Sequence, residues 1–229
     1  MLEALEATVD RIRGILDTKN AARDRALTSS RELTRHCANS IRASHRGDHE
    51  LALQLLASAR LIVERLTTEL AEHPDLYHAG YTQDALKELA EANITSALIR
   101  SQPLPVPEEL KVPVAAYLNG MGEAMGEMRR YVLDLLRQGG QLARCDQMLE
   151  AMDEVYGVLV TLDYPDTLTG GLRRTTDMVR GVLERTRGDV TSAAGQDALQ
   201  RCLHGLREQL ALDAVGSSVT IAQLDDLDE

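Results

Sequence analysis

Four glutamates stand in two pairs whose spacing suits a divalent cation: Glu88 with Glu91, and Glu123 with Glu127. Asp84, Glu88 and Glu91 fall within about 60° of arc on a helix turning ~100° per residue. Most of the remaining circumference is apolar or small, with Ala85, Leu86, Leu89, Ala90, Ala92, Ile94, Ala97 and Leu98. A helix so widely apolar is largely buried, and its narrow acidic stripe is expected to face a cleft. Glu123 and Glu127 share a face with Asn119, Arg130 and Asp134, opposite Val114, Tyr117, Met121, Met125, Met128, Val132 and Leu135. Gly120, Gly122 and Gly126 flank that second stripe. Three glycines in one helix cost roughly 2–3 kcal/mol against alanine, which close approach by a neighbouring helix, or room for a ligand, would explain. If the two pairs face each other, they repel until a cation neutralises them. Hard carboxylate oxygens suit Mg²⁺ or Mn²⁺, ions that activate water and stabilise displacement at phosphorus. On spacing alone an ordinary solvated acidic face stays open and is the commoner case.

A second stripe is basic. Arg31, Arg35, Arg42 and Arg46 also fall within about 60° of arc, and Lys19 to Arg46 holds seven Lys/Arg against Asp24 and Glu32. Guanidinium groups in a row suit a phosphate backbone through bidentate donation; a solvated face paired with neighbouring acids is the alternative. His45 and His49 lie one turn apart across Gly47, where the helix is expected to end, which weakens them as a ligand pair. His36, His73, His78 and His204 have no evident partners. No serine sits in a GxSxG context and no glycine-rich phosphate loop precedes a helix, which disfavours serine-hydrolase and ATP-driven chemistry.

The elements that must position these residues are helices. Ala, Leu and Met abound, Trp and Phe are absent, and strand-favouring residues are sparse. Gly and Pro divide the chain into helices over about Leu2–Arg46, His49–Glu72, Asp75–Arg100, Val114–Arg137, Gln141–Leu162, Tyr164–Arg187 and Ala193–Leu210. Asp75 is suited to cap the third. Pro103, Pro105, Pro107 and Pro113 form a connector too short to separate two cores, and the acidic end (Asp225, Asp226, Asp228, Glu229) is expected to be disordered. Short connections imply antiparallel neighbours in an all-α bundle of about seven helices. Leu199, Cys202, Leu203, Leu206 and Leu210 are expected to pack the seventh helix on the body or on a neighbouring subunit. Net charge is −11, with 25 basic and 36 acidic residues, which argues against coating nucleic acid through overall charge but leaves a local basic groove open. Three widely spaced cysteines fit a reducing cytoplasm rather than disulfides or zinc. No signal pattern or membrane span is expected.

Several runs together resemble one family. These are Ser30-Arg31-Glu32-Leu33-Thr34-Arg35, Ser40-Ile41-Arg42-Ala43-Ser44-His45-Arg46-Gly47 and Tyr77-His78-Ala79-Gly80-Tyr81. Leu86 to Ala92, Tyr117-Leu118-Asn119-Gly120 with Glu123, Gly126-Glu127-Met128-Arg129-Arg130 and Leu172 to Gly181 complete the set. Their succession over about residues 20–188 resembles the translin family, in its prokaryotic branch similar to translin-associated factor X (Trax). No single run is diagnostic. The resemblance implies a translin-like helical domain over 1–188, a C-terminal extension over 189–229, and a hollow homo-oligomer, often an octamer. It implies a cytoplasmic Mg²⁺-dependent endoribonuclease acting on single-stranded RNA, with single-stranded DNA as a further partner and no membrane. By the same resemblance Glu88, Glu91 and Glu123 ligate Mg²⁺ (or Mn²⁺) and Glu127 is an added catalytic group; on that reading the basic stripe of Arg31, Arg35, Arg42 and Arg46 is expected to hold the nucleic acid. Glu123 departs from the family's usual Asp by one methylene. Weak base specificity is expected, because only tyrosines are available for stacking. The alternative is a non-catalytic single-stranded RNA- or DNA-binding shell of the translin type.

Overall fold

The computed structural model describes the backbone of residues 2–225 and the side chains of residues 2–210, and every regular element within them is a helix. Six long helices carry the architecture: α1 (Leu2–His45), α2 (His49–Glu69), α4 (Gly80–Ile99), α6 (Val114–Gln138), α7 (Leu142–Leu159) and α9 (Leu172–Asp225). Three single turns link them: α3 (Pro74–Tyr77), α5 (Pro107–Leu110) and α8 (Asp166–Thr169). The all-α expectation holds, with two corrections to the segments. Asp75 caps nothing: it lies inside α3, where its carboxylate meets Lys19 at 2.6 Å, and α4 starts at Gly80 without a side-chain cap. The expected sixth helix breaks at Gly170 and Gly171, leaving Asp166–Thr169 as a separate turn, and from Leu172 on it is one with the expected seventh, because α9 runs through Gly188 unbroken. A lone glycine costs about 1 kcal/mol in a helix, and buried Leu183, Thr186 and Val190 on either side hold the helix through it. The boundary at 188/189 therefore falls in mid-helix.

Contacts fix the direction of each helix. Ser40 Oγ donates to the Ala52 carbonyl and Arg65 reaches Glu32, so α2 returns along α1. Gly47 and its φ of +75° make that reversal tight, a conformation glycine adopts without steric cost. Lys87 and Glu91 of α4 lie beside Gly120 of α6, and near the other end Arg144, at the start of α7, donates to the Leu98 and Ile99 carbonyls. The ends of α4 and α6 thus coincide, and these two helices run in the same sense. The proline-rich connector carries the chain back along the body between them, which its extended prolines suit, and Tyr117 Oη ties it down by donating to the Pro105 carbonyl at 2.8 Å. One main core runs between α1, α2, α4, α6, α7 and α9 and holds Leu33, Leu86, Leu89, Ile94, Met125, Met128 and Met152. Each such side chain contributes roughly 1.5–3 kcal/mol on full burial.

Both ends of the chain leave this core. Leu2, Leu5, Val9, Ile12, Ile15 and Leu16 of α1 are exposed, as are Leu199, Leu203, Leu206 and Leu210 of α9. Packing of that last stripe on the body of the same chain is not found. The expectation of a disordered acidic end falls, for Asp226, Asp228 and Glu229, outside the described residues. Cys37 and Cys145 are buried free thiols and Cys202 is an exposed one. Among the described residues no helix is long and apolar enough to cross a membrane.

Candidate functional site

The two acidic stripes meet. Glu88, Glu91, Glu123 and Glu127 line one cavity of about 420 Å³, together with Ala38, Ile41 and Arg42 from α1, Arg130 from α6 and Met178 from α9. Asp84, one turn before Glu88, stays outside it, with its side chain 76% exposed. Gly120 explains the juxtaposition. A Cβ at that position would stand 2.5 Å from the Lys87 carbonyl oxygen and 2.8 Å from Ala90 Cβ, distances no side chain tolerates, so only glycine lets α6 close on α4. Gly122 serves α9 in the same way, against Thr175 and Val179, whereas Gly126 meets nothing. Asn119 locks the start of this region by donating to the Ala115 and Thr169 carbonyls and accepting from Thr175 Oγ1 at 2.6 Å.

The four carboxylates sit in different electrostatic surroundings. Among the described residues nothing donates a hydrogen bond or ion pair to Glu88 or Glu91. Burial, then the negative charges of Glu88, Glu123 and Glu127, push Glu91 up to about 8. Burial, with Glu123 next, also raises Glu88. Burial, then the negative charges of Glu88 and Glu91, also raises the buried Cys37 thiol. Glu127 is the opposite case. His45 Nε2 lies 2.5 Å from its Oε2, and that hydrogen bond, working against burial, lowers its pKa. Glu123 receives Lys87 Nζ at 2.7 Å. Burial acts to lower the Lys87 ammonium, and its contact with Glu123, together with the charges of Asp84 and Glu88, more than reverses this.

Beside the acidic cavity lies a basic one. Arg42, His45, Arg46, Arg130 and Arg137, with Asp134 and Gln138, line about 340 Å³, and Arg42 and Arg130 belong to both cavities. Of the four expected nucleic-acid-binding arginines, the structure gathers Arg42 and Arg46 here, while exposed Arg31 and Arg35 line neither cavity. Sequence reasoning missed four residues. Arg130 and Arg137 lie on another helix; the only sign of Arg130 was its place on the Glu123/Glu127 face. His45 could be weighed in sequence only against His49, because its partner Glu127 is 82 residues away. Lys87 was hidden inside the acidic run.

The donor set fits a hard divalent ion: carboxylate oxygens from two helices, two of them without a cationic partner. As they stand, however, no three or more His, Cys, Asp or Glu side chains among the described residues are disposed to hold a metal ion. Glu123 and Glu127 are turned toward Lys87 and His45 instead. Ligation by Glu123 would require it to leave Lys87, a rotamer change within reach of a partly exposed glutamate.

No family model matches the chain. An uncharacterized protein of Methanocaldococcus jannaschii is 30% identical over 179 residues, covering 77% of this chain and 78% of that one. AfC3PO, solved in complex with duplex RNA, is 34% identical with a TM-score of 0.76, covering 82% of this chain and 97% of that one. The structure of AfC3PO alone matches equally, at 34% identity and a TM-score of 0.76. Apo-NeC3PO, at 19% identity and a TM-score of 0.73, shares the fold. With the sequence alike over most of both chains and the helices superposable, this chain belongs to the C3PO (translin/Trax) family.

Proposed function

We propose that the protein binds RNA and cleaves its phosphodiester bonds with the help of a divalent cation, within a homo-oligomer. The single observation that carries this is the shared cavity of Glu88, Glu91, Glu123 and Glu127, edged by Arg42 and Arg130. A phosphate-gripping surface next to a carboxylate cluster is the arrangement that phosphodiester hydrolysis needs. Support for the substrate comes from AfC3PO, 34% identical, which has been solved with duplex RNA.

In this proposal Glu88, Glu91 and Glu123 hold Mg²⁺ or Mn²⁺, which when bound lowers the pKa of water and shields charge developing at phosphorus. Glu127, with its carboxylate kept ionised by His45, orients water or adds a ligand. Arg42, Arg46, Arg130 and Arg137 grip neighbouring phosphates, and Arg31 and Arg35 extend the contact along α1. The oligomer, an octamer in the reading from the family resemblance, encloses the RNA.

The test is degradation of labelled single-stranded and duplex RNA with Mg²⁺, Mn²⁺ or chelator, by wild type and by Glu88→Gln and Glu91→Gln. Metal-dependent products from wild type alone are expected. Equal cleavage by a folded double variant would sink the site, and the two substrates show which strandedness is preferred. A second reading, RNA binding without catalysis, is favoured by one observation: Lys87 and His45 already partner two of the four carboxylates. Retained, salt-sensitive RNA binding with no metal-dependent product would select it.

A further inference from the structure

Taking the metal-site proposal as its basis, we propose that Lys87 is a tethered counter-cation of the acidic cavity, one that a divalent ion must displace from Glu123 before the glutamates act as one ligand set. Its Nζ lies 2.7 Å from Glu123 Oε1 and 3.9 Å from the exposed Asp84. Glu123 lines the cavity and Lys87 stands just behind it, and with side chains 34% and 24% exposed, respectively, the pair is not on open surface. Gly120 builds the contact. Because it has no Cβ, α6 seats against the Lys87 carbonyl, and Glu123, three residues on, comes within reach of the ammonium of that same lysine. The glycine that brings the two acidic stripes together therefore also delivers an internal cation to one of them.

Geometry separates this role from a merely structural one. Glu88 and Glu91 have no partner among the described residues, while Glu123, which lines the same cavity, is engaged by Lys87. A lysine ammonium is a mobile point charge on a flexible stem, able to swing aside as the carboxylate takes a new partner. It keeps the cluster from repelling itself while no ion is bound, at the cost of weaker affinity when one arrives. The cavity is then selective by charge: a monovalent ion gains too little to displace Lys87, and a divalent ion gains enough.

Mn²⁺ binding to the full-length protein, followed by the free-ion paramagnetic resonance signal and by calorimetry, tests this without using activity. Wild type, Lys87→Met, Lys87→Gln, Lys87→Arg and Glu91→Gln are compared, with a thermal melt of each to confirm folding. A unit charge facing a divalent ion across a solvent-screened carboxylate is worth on the order of tenfold in affinity. Both neutral variants are expected to bind Mn²⁺ about tenfold more tightly than wild type, Lys87→Arg to bind like wild type, and Glu91→Gln to bind more weakly. Unchanged or weaker affinity in both folded neutral variants, with Glu91→Gln still impaired, overturns the role of Lys87 and leaves the metal site standing. Mn²⁺ binding that is absent throughout, or unaffected by Glu91→Gln, overturns both.

Discussion

Glu88/Glu91 and Glu123/Glu127 are the same residue type at nearly the same spacing, on neighbouring helices, facing one cavity, yet they are opposites. The α4 pair is enclosed by apolar neighbours and by other carboxylates, and its members are pushed toward the protonated state. The α6 pair is met by Lys87 and His45, and Glu127 is held toward the ionised state. The contrast shows that a carboxylate's chemistry is set by what the opposing helix presents, not by its own neighbours in sequence. It also divides the labour in the proposed site: the α4 pair demands an external cation, whereas the α6 pair is already partnered by Lys87 and His45.

The contrast can be broken most directly through cleavage. Glu91→Gln should lower metal-dependent RNA cleavage by at least about 100-fold while RNA binding in a filter or gel-shift assay persists. Glu127→Gln should cost distinctly less, and equal losses would erase the proposed division.

Stability should move in opposite directions. In metal-free protein near pH 9, Glu91→Gln should stabilise by roughly 1–3 kcal/mol, because it removes a carboxylate ionised against burial and like charge. His45→Ala should destabilise by a similar ~1–3 kcal/mol, since Glu127 loses its hydrogen-bond partner. Urea unfolding of both variants checks the two signs.

The pH dependence follows the same division. The folded-state pKa of Glu91 lies at about 8, above the ordinary 4.5, so the folded form holds that proton more tightly. Its contribution to stability is complete below about pH 4.5 and is lost as pH rises through about 8. Glu127 is lowered from 4.5, so its contribution is present above that pH and is lost as pH falls through the folded value. Melting of metal-free protein should therefore weaken on both sides of mid-range pH, and Glu91→Gln should flatten the alkaline limb alone. The smallest effect is expected at the basic cavity. Arg130→Gln or Arg137→Gln should each reduce the salt slope of RNA binding by about 1, and Arg31→Gln should do less if phosphates lie mainly between α1 and α6.

Much was legible because helical periodicity is local. The 60° acidic and arginine stripes, the apolar face from Tyr117 to Leu135 (Val114, expected on it, is exposed) and the breaks at Gly47, Pro74 and Gly139 are each set by residues within a few turns. The expectation that Gly120 marks a close approach was also within reach, since a glycine inside a helix is costly unless something needs the room. What could not be read lies between helices. His45 with Glu127 and Lys87 with Glu123 are separated by 82 and 36 residues. The break expected at Gly188 failed because burial of Leu183, Thr186 and Val190 outweighs one glycine.

The sequence by itself thus determined an all-helical chain and put two acidic stripes and an arginine row on named faces, because helix periodicity and propensity depend on near neighbours alone. Only the tertiary structure decided that the acidic stripes share a cavity, that Arg42 and Arg46 join Arg130 and Arg137 while Arg31 and Arg35 do not, and which glutamates receive an internal cation. Those outcomes depend on burial and on charges a few ångströms away across helix interfaces, where separation along the chain carries no information.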